Sequence, residues 1–432
     1  MNKPGNAMYK MAQMLWPINR SITGKGLRQS LNIISKYLPN LIIKKVPSGT
    51  KVFDWVVPEE WNVKEAYIIT PGGRKICDLK ENNLHLMSYS TPIKKVIELE
   101  ELEKHLYSLP DKPNAIPYVT SYYHKRWGFC IKHKDRKALK KGKYQVVIKS
   151  SFIKGHLNYG ELIIPGRLKK EVFLSTYICH PSMANNEVSG MIVAINFIKN
   201  LKKIKDRHYT YRIVFVPETL GSIIYINKNF KDLKKNVIAG FVLTCVGDDN
   251  EFSYLPSRSG NKLSDRSAVN YFNFNIKKFN KYTYLDRGSD ERQYCSPGVD
   301  LPVCSIMRTK YNTYPEYHTS LDDLNFISEK GLKNSLQMLE NITSIIENNF
   351  KYKSTYKCEP KLGSRNLYPE ISSKSLSPLS NSKKNNFINY LNFLAYADGK
   401  NDLIDISEKI GVGAFDLIEI KNILLKEKLI TK

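Results

Sequence analysis

Residues 172–190, VFLSTYICHPSMANNEVSG, decide the fold class of this chain. They begin with a continuous apolar run, typical of a strand buried on both faces, and a helical pattern follows them. The same arrangement of an apolar run and a polar loop returns at 211–216, 240–246 and 302–307. Apolar strands that alternate with helices predict an α/β fold, with a mainly parallel sheet covered by helices on both faces.

Changes in composition and in hydrophobic pattern divide the 432 residues into parts. Short β-like pieces separated by Pro and Gly turns fill residues 59–165, which predicts an inserted or appended β-rich domain. The α/β domain is expected to be discontinuous, made of residues 1–58 and 166–353. Residues 354–382 are polar and rich in Ser, Pro and Asn, which favours a linker. Residues 383–432 read as three helices separated by turns and a short apolar tail, the pattern of a winged helix-turn-helix.

The net charge of +26 first suggests a polyanion as partner. However, 53 of the 67 basic residues are Lys, a point charge without the planar fork that makes Arg suited to phosphates and bases. The segment 383–432 carries eight Lys and seven acidic residues, whereas a DNA-reading domain normally has a basic face. Protein contact or dimerisation through this segment is therefore favoured over nucleic-acid binding, and the charge favours an acidic or phosphorylated substrate.

The cysteine pattern and hydropathy predict a soluble, cytoplasmic protein. The seven cysteines are odd in number and widely spaced, and no two form CxxC, which disfavours a disulfide framework or a cysteine zinc site. The N-terminal stretch lacks the apolar region of a signal peptide. No run approaches the roughly 20 apolar residues of a membrane span, so no membrane contact is expected.

Polar side chains follow each predicted strand at the point where it ends. His180, Glu218 and Asp248 follow the first three strands, and His318 lies in the loop after the fourth. In open α/β sheets, ligands bind outside the carboxyl ends of the strands. Each residue alone is more often a cap or a surface group, but four together on one edge indicate a hydrolytic zinc site. Asn186 begins the helix after His180 and can turn back toward it.

Short motifs spread over nearly the whole chain resemble co-catalytic zinc aminopeptidases of the M28 type. They are similar in particular to a bacterial branch of aminopeptidase-like proteins linked to polysaccharide biosynthesis. That branch combines an M28-like domain, an inserted domain of unknown function and a C-terminal winged helix. The matching stretches are WPINRSITGKG, SLPDKPNAIPYVTSYYHKRWGFC, STYICHPSMANNEVSG, FVPETLGSI, LTCVGDD, RGSDERQYCSPGVDLP, YHTSLDDL and LAYADGKNDLIDI.

The resemblance implies a ligand set, with departures that reduce the expected metal count. His180 takes the place of the first ligand His, and His318 that of the last. The bridging Asp of the family is Asn186 here, a neutral amide that cannot balance two zinc ions. The family's Glu-Glu pair is reduced to Glu218, which acts either as third ligand or as general base, and Asp248 is a further ligand candidate. We therefore expect one zinc ion rather than two.

The same resemblance suggests residues that bind the substrate. Glu187 stands one position after Asn186 and is a candidate for contact with metal or substrate, and Asn186 itself has either role. Asp290 can hold a substrate amine, and Arg287 or Arg292 a carboxylate or phosphate, because Arg suits bidentate anion recognition. A surface loop held by salt bridges is the alternative for 287–294.

Taken together, the residues and the resemblance predict a metal-dependent hydrolase of aminopeptidase type in a polysaccharide-biosynthesis context. Its substrate would be a peptide or an amide-bearing small molecule, attacked by metal-activated water. The alternative is a catalytically degenerate M28-like module for binding or assembly, whose winged helix contacts protein or DNA. A homo-oligomer formed through the insert or the winged helix also remains open.

Overall fold

The computed structural model describes residues 4–368 and 386–432, and it divides them into two compact units. The first contains the described residues of Met1–Gly260 and Asn280–Leu336, and the second contains Asn261–Phe279 and the described residues of Gln337–Lys432. No helix within these described ranges is long and apolar enough to cross a membrane.

Strands and helices alternate through both units. The strands are, in chain order, β1 (Ile42–Pro47), β2 (Lys51–Val52), β3 (Trp55–Val56), β4 (Glu60–Ile69), β5 (Lys75–Ile76), β6 (Ile93–Glu98), β7 (Leu106–Tyr107), β8 (Phe129–Cys130), β9 (Lys143–Ile153), β10 (His156–Ile164), β11 (Leu168–Tyr177), β12 (Tyr209–Val216), β13 (Val237–Leu243), β14 (Phe252–Leu255), β15 (Phe279–Lys281), β16 (Val303–Met307), β17 (Lys351–Ser354), β18 (Asp398–Asp402) and β19 (Ile430–Thr431). The α-helices are α1 (Pro4–Leu15), α2 (Lys25–Tyr37), α3 (Leu99–Glu103), α4 (His133–Lys137), α5 (Ser189–Leu201), α6 (Leu220–Asn236), α7 (Leu263–Asn275), α8 (Glu291–Tyr294), α9 (Glu329–Asn348), α10 (Asn386–Tyr396), α11 (Leu403–Ile410) and α12 (Ala414–Lys426).

The large sheet confirms the predicted α/β class. Its eight strands run in the order β1-β10-β12-β11-β13-β16-β14-β15. The central strands β12, β11, β13 and β16 are parallel, whereas β10 and β14 pair antiparallel at either side. All four apolar runs identified in the sequence are these central strands, and β11 is buried from Glu171 to Tyr177. Their carboxyl ends therefore meet at one edge of the sheet.

The β-rich segment forms a sheet of its own, in the order β5-β4-β9-β6. The sequence analysis placed all of 59–165 in this segment, but β10 belongs to the large sheet, where it pairs with β1 and β12. The chain leaves the small sheet at the end of β9 and enters the large sheet two residues later. Sequence pattern could not show this, because an apolar strand looks alike in either sheet.

Two glycines explain the TGKG motif near the N-terminus. Gly24 precedes α2 with φ 96°, and a Cβ there would lie 2.2 Å from the Trp61 carbonyl oxygen. A Cβ on Gly26 would lie 1.9 Å from the Asn19 carbonyl oxygen. Both positions require glycine, because the chain doubles back on itself between α1 and α2.

The second unit contains the predicted winged helix. α10, α11 and α12 pack together, and β17 pairs with β18 and β19 in a three-stranded sheet. The expected linker 354–382 therefore begins at the last residue of a strand, and residues 369–382 of it lie outside the described residues. The helix α7, which the sequence analysis placed in the α/β domain, belongs to this unit.

The helix α12 uses its N-terminus to bind α7. Ala414 N–H donates to Asn270 Oδ1 (2.9 Å), and Asn275 Nδ2 donates to Asp416 Oδ2 (3.0 Å). In helix-turn-helix proteins, the N-terminal residues of the second helix contact DNA bases. Here that surface is covered by another helix of the same unit, which favours a role in protein contact.

An ion pair fastens α7 to the start of α11. Arg266 donates from both terminal nitrogens to Asp402 at 2.7 and 2.9 Å, and to Asp405 at 2.9 Å. We expect Arg266→Met to lower the free energy of unfolding of this unit by about 1–2 kcal/mol, because it leaves partly buried carboxylates unpaired. Urea denaturation measures the change. Arg365→Met is the control, since Arg365 is partnered only at the surface by Tyr356 and the Lys361 carbonyl, and an equal loss there would contradict the prediction.

Candidate active site

His180, Glu218 and His318 line one cavity of about 260 Å³ at the carboxyl edge of the sheet. His180 follows β11, Glu218 follows β12, and His318 lies in the long loop between β16 and α9. We call this space the histidine cavity. The structure thus brings together three of the four residues that the sequence placed at strand ends.

His180 is held by a buried carboxylate. Its Nδ1 lies 2.9 Å from Glu187 Oε2, which also accepts the backbone N–H groups of Cys179 (2.6 Å) and His180 (2.5 Å). With Nδ1 bonded to a carboxylate, Nε2 faces Glu218 Oε2 at 3.5 Å. A carboxylate behind one ring nitrogen is the usual way to orient a histidine that ligates metal through the other. Glu187, expected at the metal or substrate, instead positions His180.

The partner of Glu187 is Arg20, a residue that the sequence analysis did not single out. The Arg20 side chain is completely buried, and its Nε donates to Glu187 Oε1 (2.6 Å) and to the His180 carbonyl (2.9 Å). Its Nη1 donates to the Leu15 carbonyl at the end of α1 (2.5 Å). Arg20 lies in WPINRS, part of one of the stretches that resemble the M28-type family. This resemblance was the sequence feature that could have identified Arg20 as a residue of the site.

His318 presents a free ring nitrogen. Its Nε2 is buried and has no hydrogen-bond partner among the described residues. Burial, and next the charge of His180, lower the pKa of His318 well below its ordinary value, so its imidazole is neutral. The ring stacks on Tyr317, and its centroid lies 5.3 Å from that of His180. The backbone at His318 is left-handed (φ 53°), a strained conformation that is found most often at functional sites.

Asn186 lies in the turn after His180 but is not among the described residues that line the histidine cavity. Its Nδ2 donates to the Tyr177 hydroxyl (2.8 Å), and its Oδ1 is buried without a partner among the described residues. Asp322, in the loop after His318, accepts the backbone N–H groups of Asn185 (2.6 Å) and Asn186 (3.0 Å). The carboxylate of Asp322 therefore caps the turn 184–188 and leaves the Asn186 oxygen available.

Asp248 is not brought to the cavity. Its Oδ1 accepts the Thr309 hydroxyl (2.9 Å) and the Asn250 N–H (2.9 Å), and its Oδ2 accepts Asn185 Nδ2 (2.9 Å). These bonds tie the loop after β13 to its neighbours. The expected role of Asp248 as ligand has no support in this geometry, because the sequence could not tell toward which side the carboxylate turns.

Glu218 is the carboxylate that reaches the cavity. Ser289 donates to its Oε1 (2.8 Å), while Oε2 faces His180. Burial raises the pKa of Glu218. Behind it, Asp290 Oδ1 accepts Thr219 N–H (2.7 Å) and the Ser222 hydroxyl (2.9 Å), so Asp290 caps α6 and does not line the cavity. Burial, and next the charge of Glu218, raise the pKa of Asp290 to about 8.

The two arginines proposed for anion binding lie outside the cavity. Arg292 donates to the Thr219 hydroxyl (2.7 Å) from an exposed position, which fixes the turn beside Glu218. Arg287 is exposed and stacks over the Tyr284 ring at 4.8 Å. The alternative for this segment, a surface loop, describes Arg287 better than substrate binding does.

Among the described residues, Cys179, His180 and Glu187 are the only group of three His, Cys, Asp or Glu residues whose possible ligand atoms all lie within 4.8 Å of one another. These atoms are already committed to one another and to Arg20, and burial raises the pKa of Cys179 to about 11, so it stays a neutral thiol. A metal fits better on the cavity side. There, His318 Nε2 has no partner among the described residues, and His180 Nε2 and Glu218 Oε2 face each other at 3.5 Å.

The insert closes the cavity, which sequence reasoning missed. Tyr118 lies with its ring centroid 5.2 Å from each of the two histidine rings, and its hydroxyl lies 3.1 Å from that of Tyr122. Tyr118 N–H also donates to the His318 carbonyl (2.9 Å). Trp55, in the hairpin of β2 and β3, and Tyr123 complete an aromatic wall. The YVTSYY stretch in the resemblance was the only hint of this.

The fold and the strand-edge site define a protein of zinc-aminopeptidase architecture. Comparison with known proteins shows that the chain belongs to the family of the domain of unknown function DUF4910, whose model matches residues 9–349. A winged helix-turn-helix family matches residues 350–432, which confirms the predicted C-terminal unit.

One relative and several solved structures support this assignment. A Clostridium acetobutylicum protein, provisionally named as a polysaccharide biosynthesis protein with aminopeptidase-like domain, is 42% identical over 95% of this chain and 93% of its own. A crystal structure from the same organism, provisionally described as a peptidase, has 39% identity and TM-score 0.91 over 99% of this chain and 96% of its own.

More distant structures share the fold alone. A zinc aminopeptidase from Bacillus subtilis has 15% identity and TM-score 0.57 over 78% of this chain and 94% of its own. A peptidase M28 precursor from Shewanella amazonensis has 11% identity and TM-score 0.55 over 82% and 94%. The resemblance noticed in the motifs is thereby confirmed.

The buried pair of Arg20 and Glu187 makes a strong prediction about stability. We expect Glu187→Gln to lower the free energy of unfolding by about 3–5 kcal/mol, because Arg20 keeps its charge in a fully buried place and loses its counter-charge. Urea denaturation measures this. Glu101→Gln is the matched control, since its ion pair with Lys104 is exposed and worth less than about 1 kcal/mol. Equal effects of both substitutions would contradict the prediction.

Proposed function

We propose that the protein is a metal-dependent hydrolase of aminopeptidase type that cleaves an amide bond in the histidine cavity. The observation that carries this proposal is that two imidazoles, His180 and His318, line the same cavity as Glu218, the only carboxylate among the described residues of its lining. His, His and carboxylate are the ligand types of hydrolytic zinc sites.

Two of the candidate ligand atoms lie at the spacing that one zinc ion requires. Zinc bonds of 2.0–2.2 Å in tetrahedral geometry separate two ligand atoms by about 3.3–3.5 Å, and His180 Nε2 and Glu218 Oε2 lie 3.5 Å apart. The ligand atoms of His180, Glu218 and His318 do not all lie within 4.8 Å of one another, so His318 must move closer to complete the site. His318 and the Asn186 oxygen complete the candidate set. When bound, zinc supplies Lewis-acid polarisation of a carbonyl and acidifies water. A second ion is disfavoured, because Asn186 is neutral and Asp248 is committed elsewhere.

The chain's own residues supply orientation and proton transfer. Ser289 fixes one oxygen of Glu218, which leaves Oε2 directed into the cavity to accept a proton from the attacking water. Glu187 keeps His180 in one tautomer. Tyr118 and Tyr122 cover the two histidines, which limits the access of bulk water and strengthens electrostatic interactions in the cavity.

The substrate is a peptide or an amide-bearing small molecule that carries no anion at the reacting end. Among the described residues that line the histidine cavity, none is Lys or Arg. The expectation of an acidic or phosphorylated substrate therefore lacks support at this place. The Clostridium acetobutylicum relative is named for polysaccharide biosynthesis, which supports a sugar-linked metabolite as the amide-bearing substrate.

A second candidate function is a binding module that has lost catalysis. It is favoured by Asn186 and Pro217, where M28 enzymes have carboxylates, and by the commitment of Glu187 to Arg20. Turnover of an aminoacyl arylamide that a chelator abolishes would remove this candidate. Ligand binding that a chelator leaves unchanged, without turnover, would favour it.

Metal analysis tests the proposed ligands. We expect about one zinc ion per chain after zinc loading and desalting, and less than about 0.1 in His180→Ala or His318→Ala, because three-ligand protein sites lose affinity steeply with each ligand. Elemental mass spectrometry gives the ratio. His156→Ala is the control, since His156 is exposed at the start of β10, and it should keep the full metal content. A zinc-free wild type would refute the site.

Glu218→Gln separates the two roles of Glu218. If Glu218 is the base, we expect kcat for amide hydrolysis to fall about 10²- to 10⁴-fold while KM and zinc content stay, because the amide cannot accept the proton. If Glu218 is a ligand, zinc content falls as well. Steady-state kinetics and metal analysis distinguish these outcomes. Full activity in the variant would show that Glu218 has neither role.

A further inference from the structure

A second groove adjoins the histidine cavity. It encloses about 540 Å³ between the tip of the β2–β3 hairpin, the outer face of α6 and the segment after α8. Its apolar lining is formed by Phe53, Trp55, Ile223, Phe230 and Val299. We call this space the Phe53 groove, and Trp55 lines both it and the histidine cavity, so the two spaces share this residue as a wall.

Phe53 is held at the groove at an energetic cost. It occupies the first position of the two-residue turn between β2 and β3, with φ 51°. Glycine and asparagine adopt this left-handed conformation readily, whereas a bulky side chain rarely does. The Phe53 side chain is nevertheless 63% exposed. It contributes little to the core, and a strained backbone that presents an aromatic ring to solvent indicates a binding function.

The polar side chains of the groove are two neutral amides, one carboxylate and the hydroxyl of Ser296, which donates to the Gln293 carbonyl (3.0 Å). Asn227 and Asp54 are exposed, Gln293 is half-buried, and none of the three has a side-chain hydrogen bond among the described contacts. No Lys or Arg is among the described residues that line it. Phosphate or carboxylate ligands therefore have no counter-charge here, whereas hydroxyl and amide groups have ready partners.

These features together fit one ligand chemistry. A neutral sugar ring has apolar C–H faces that pack on aromatic rings and a rim of hydroxyl groups that bond to amides and carboxylates. Phe53, Trp55 and Phe230 offer the rings, and Asp54, Asn227 and Gln293 offer the rim partners. An apolar peptide side chain would leave these polar groups without partners.

We propose that the Phe53 groove binds a neutral sugar residue of the substrate whose amide enters the histidine cavity. The role of this subsite in catalysis rests on the proposed hydrolase function. Binding in the groove itself, however, requires neither metal nor turnover, so the two ideas can fail separately.

The test uses methyl N-acetyl-β-D-glucosaminide and the full chain. We expect saturation-transfer NMR and tryptophan fluorescence to show binding, with Kd in the order of 1 mM for a ligand of this size. Phe53→Gly and Phe230→Ala should each weaken binding at least about tenfold. Phe53→Gly should also leave Tm unchanged or raise it, because glycine relieves the strain at φ 51°.

Two controls make the result specific. Leu285→Ala removes an exposed apolar side chain that does not line the groove, and it should bind the glycoside as the wild type does. His180→Ala should also bind it, which separates the groove from the zinc site. Absence of glycoside binding at 20-fold the expected Kd would overturn the proposal. So would tighter binding of leucyl-leucine amide than of the glycoside with the same dependence on Phe230, since that ligand is apolar.

Discussion

The buried ion pair between Arg20 and Glu187 connects every part of the site. Through it, the segment after α1, the loop after β11 and the turn before α5 are tied at one point. Glu187 then directs His180 with the remaining oxygen. Since a buried charge without its partner costs several kcal/mol, this arrangement holds only if all its members are in place. The histidine is thus positioned by folding itself, before any metal or substrate binds.

Several acidic side chains at the sheet edge serve structure, and this is the reason for proposing one zinc ion rather than two. Glu187 neutralises Arg20, Asp248 ties loops together, Asp290 caps α6, and Asp322 caps the turn 184–188. Among the acidic side chains of the described residues, only Glu218 lines the histidine cavity. In zinc sites the total negative charge of the ligands limits how many ions can be held, so a set with a single carboxylate suits one ion.

The sequence predicted the sheet and its functional edge because both follow from local pattern. Apolar runs reveal buried parallel strands, and the residue after each strand must lie at their common edge. His180, Glu218 and His318 were found in this way. The direction of a side chain beyond the strand is a tertiary property, and Asp248 was for this reason assigned to the metal although it bonds to Thr309. The contact of Tyr118 with the His318 loop joins residues 200 apart, which no local pattern reveals.

Within the first unit, these contacts assign the reacting groups and the walls of the histidine cavity to different elements. The large sheet and its loops supply the residues that we propose to hold metal and move protons. Two of them, His180 and Glu218, follow strand ends whose positions the fold fixes. The walls come from elsewhere, namely the β2–β3 hairpin and the 118–123 segment of the insert. Hairpins and loops tolerate substitution better than strand ends do. Substrate choice can therefore change through Phe53, Trp55 or Tyr123 while the chemistry at His180 stays intact. Phe53 is exposed and has a strained backbone at the hairpin tip. Such a residue is expected where the lining of the cavity is selected separately from the residues at the strand ends.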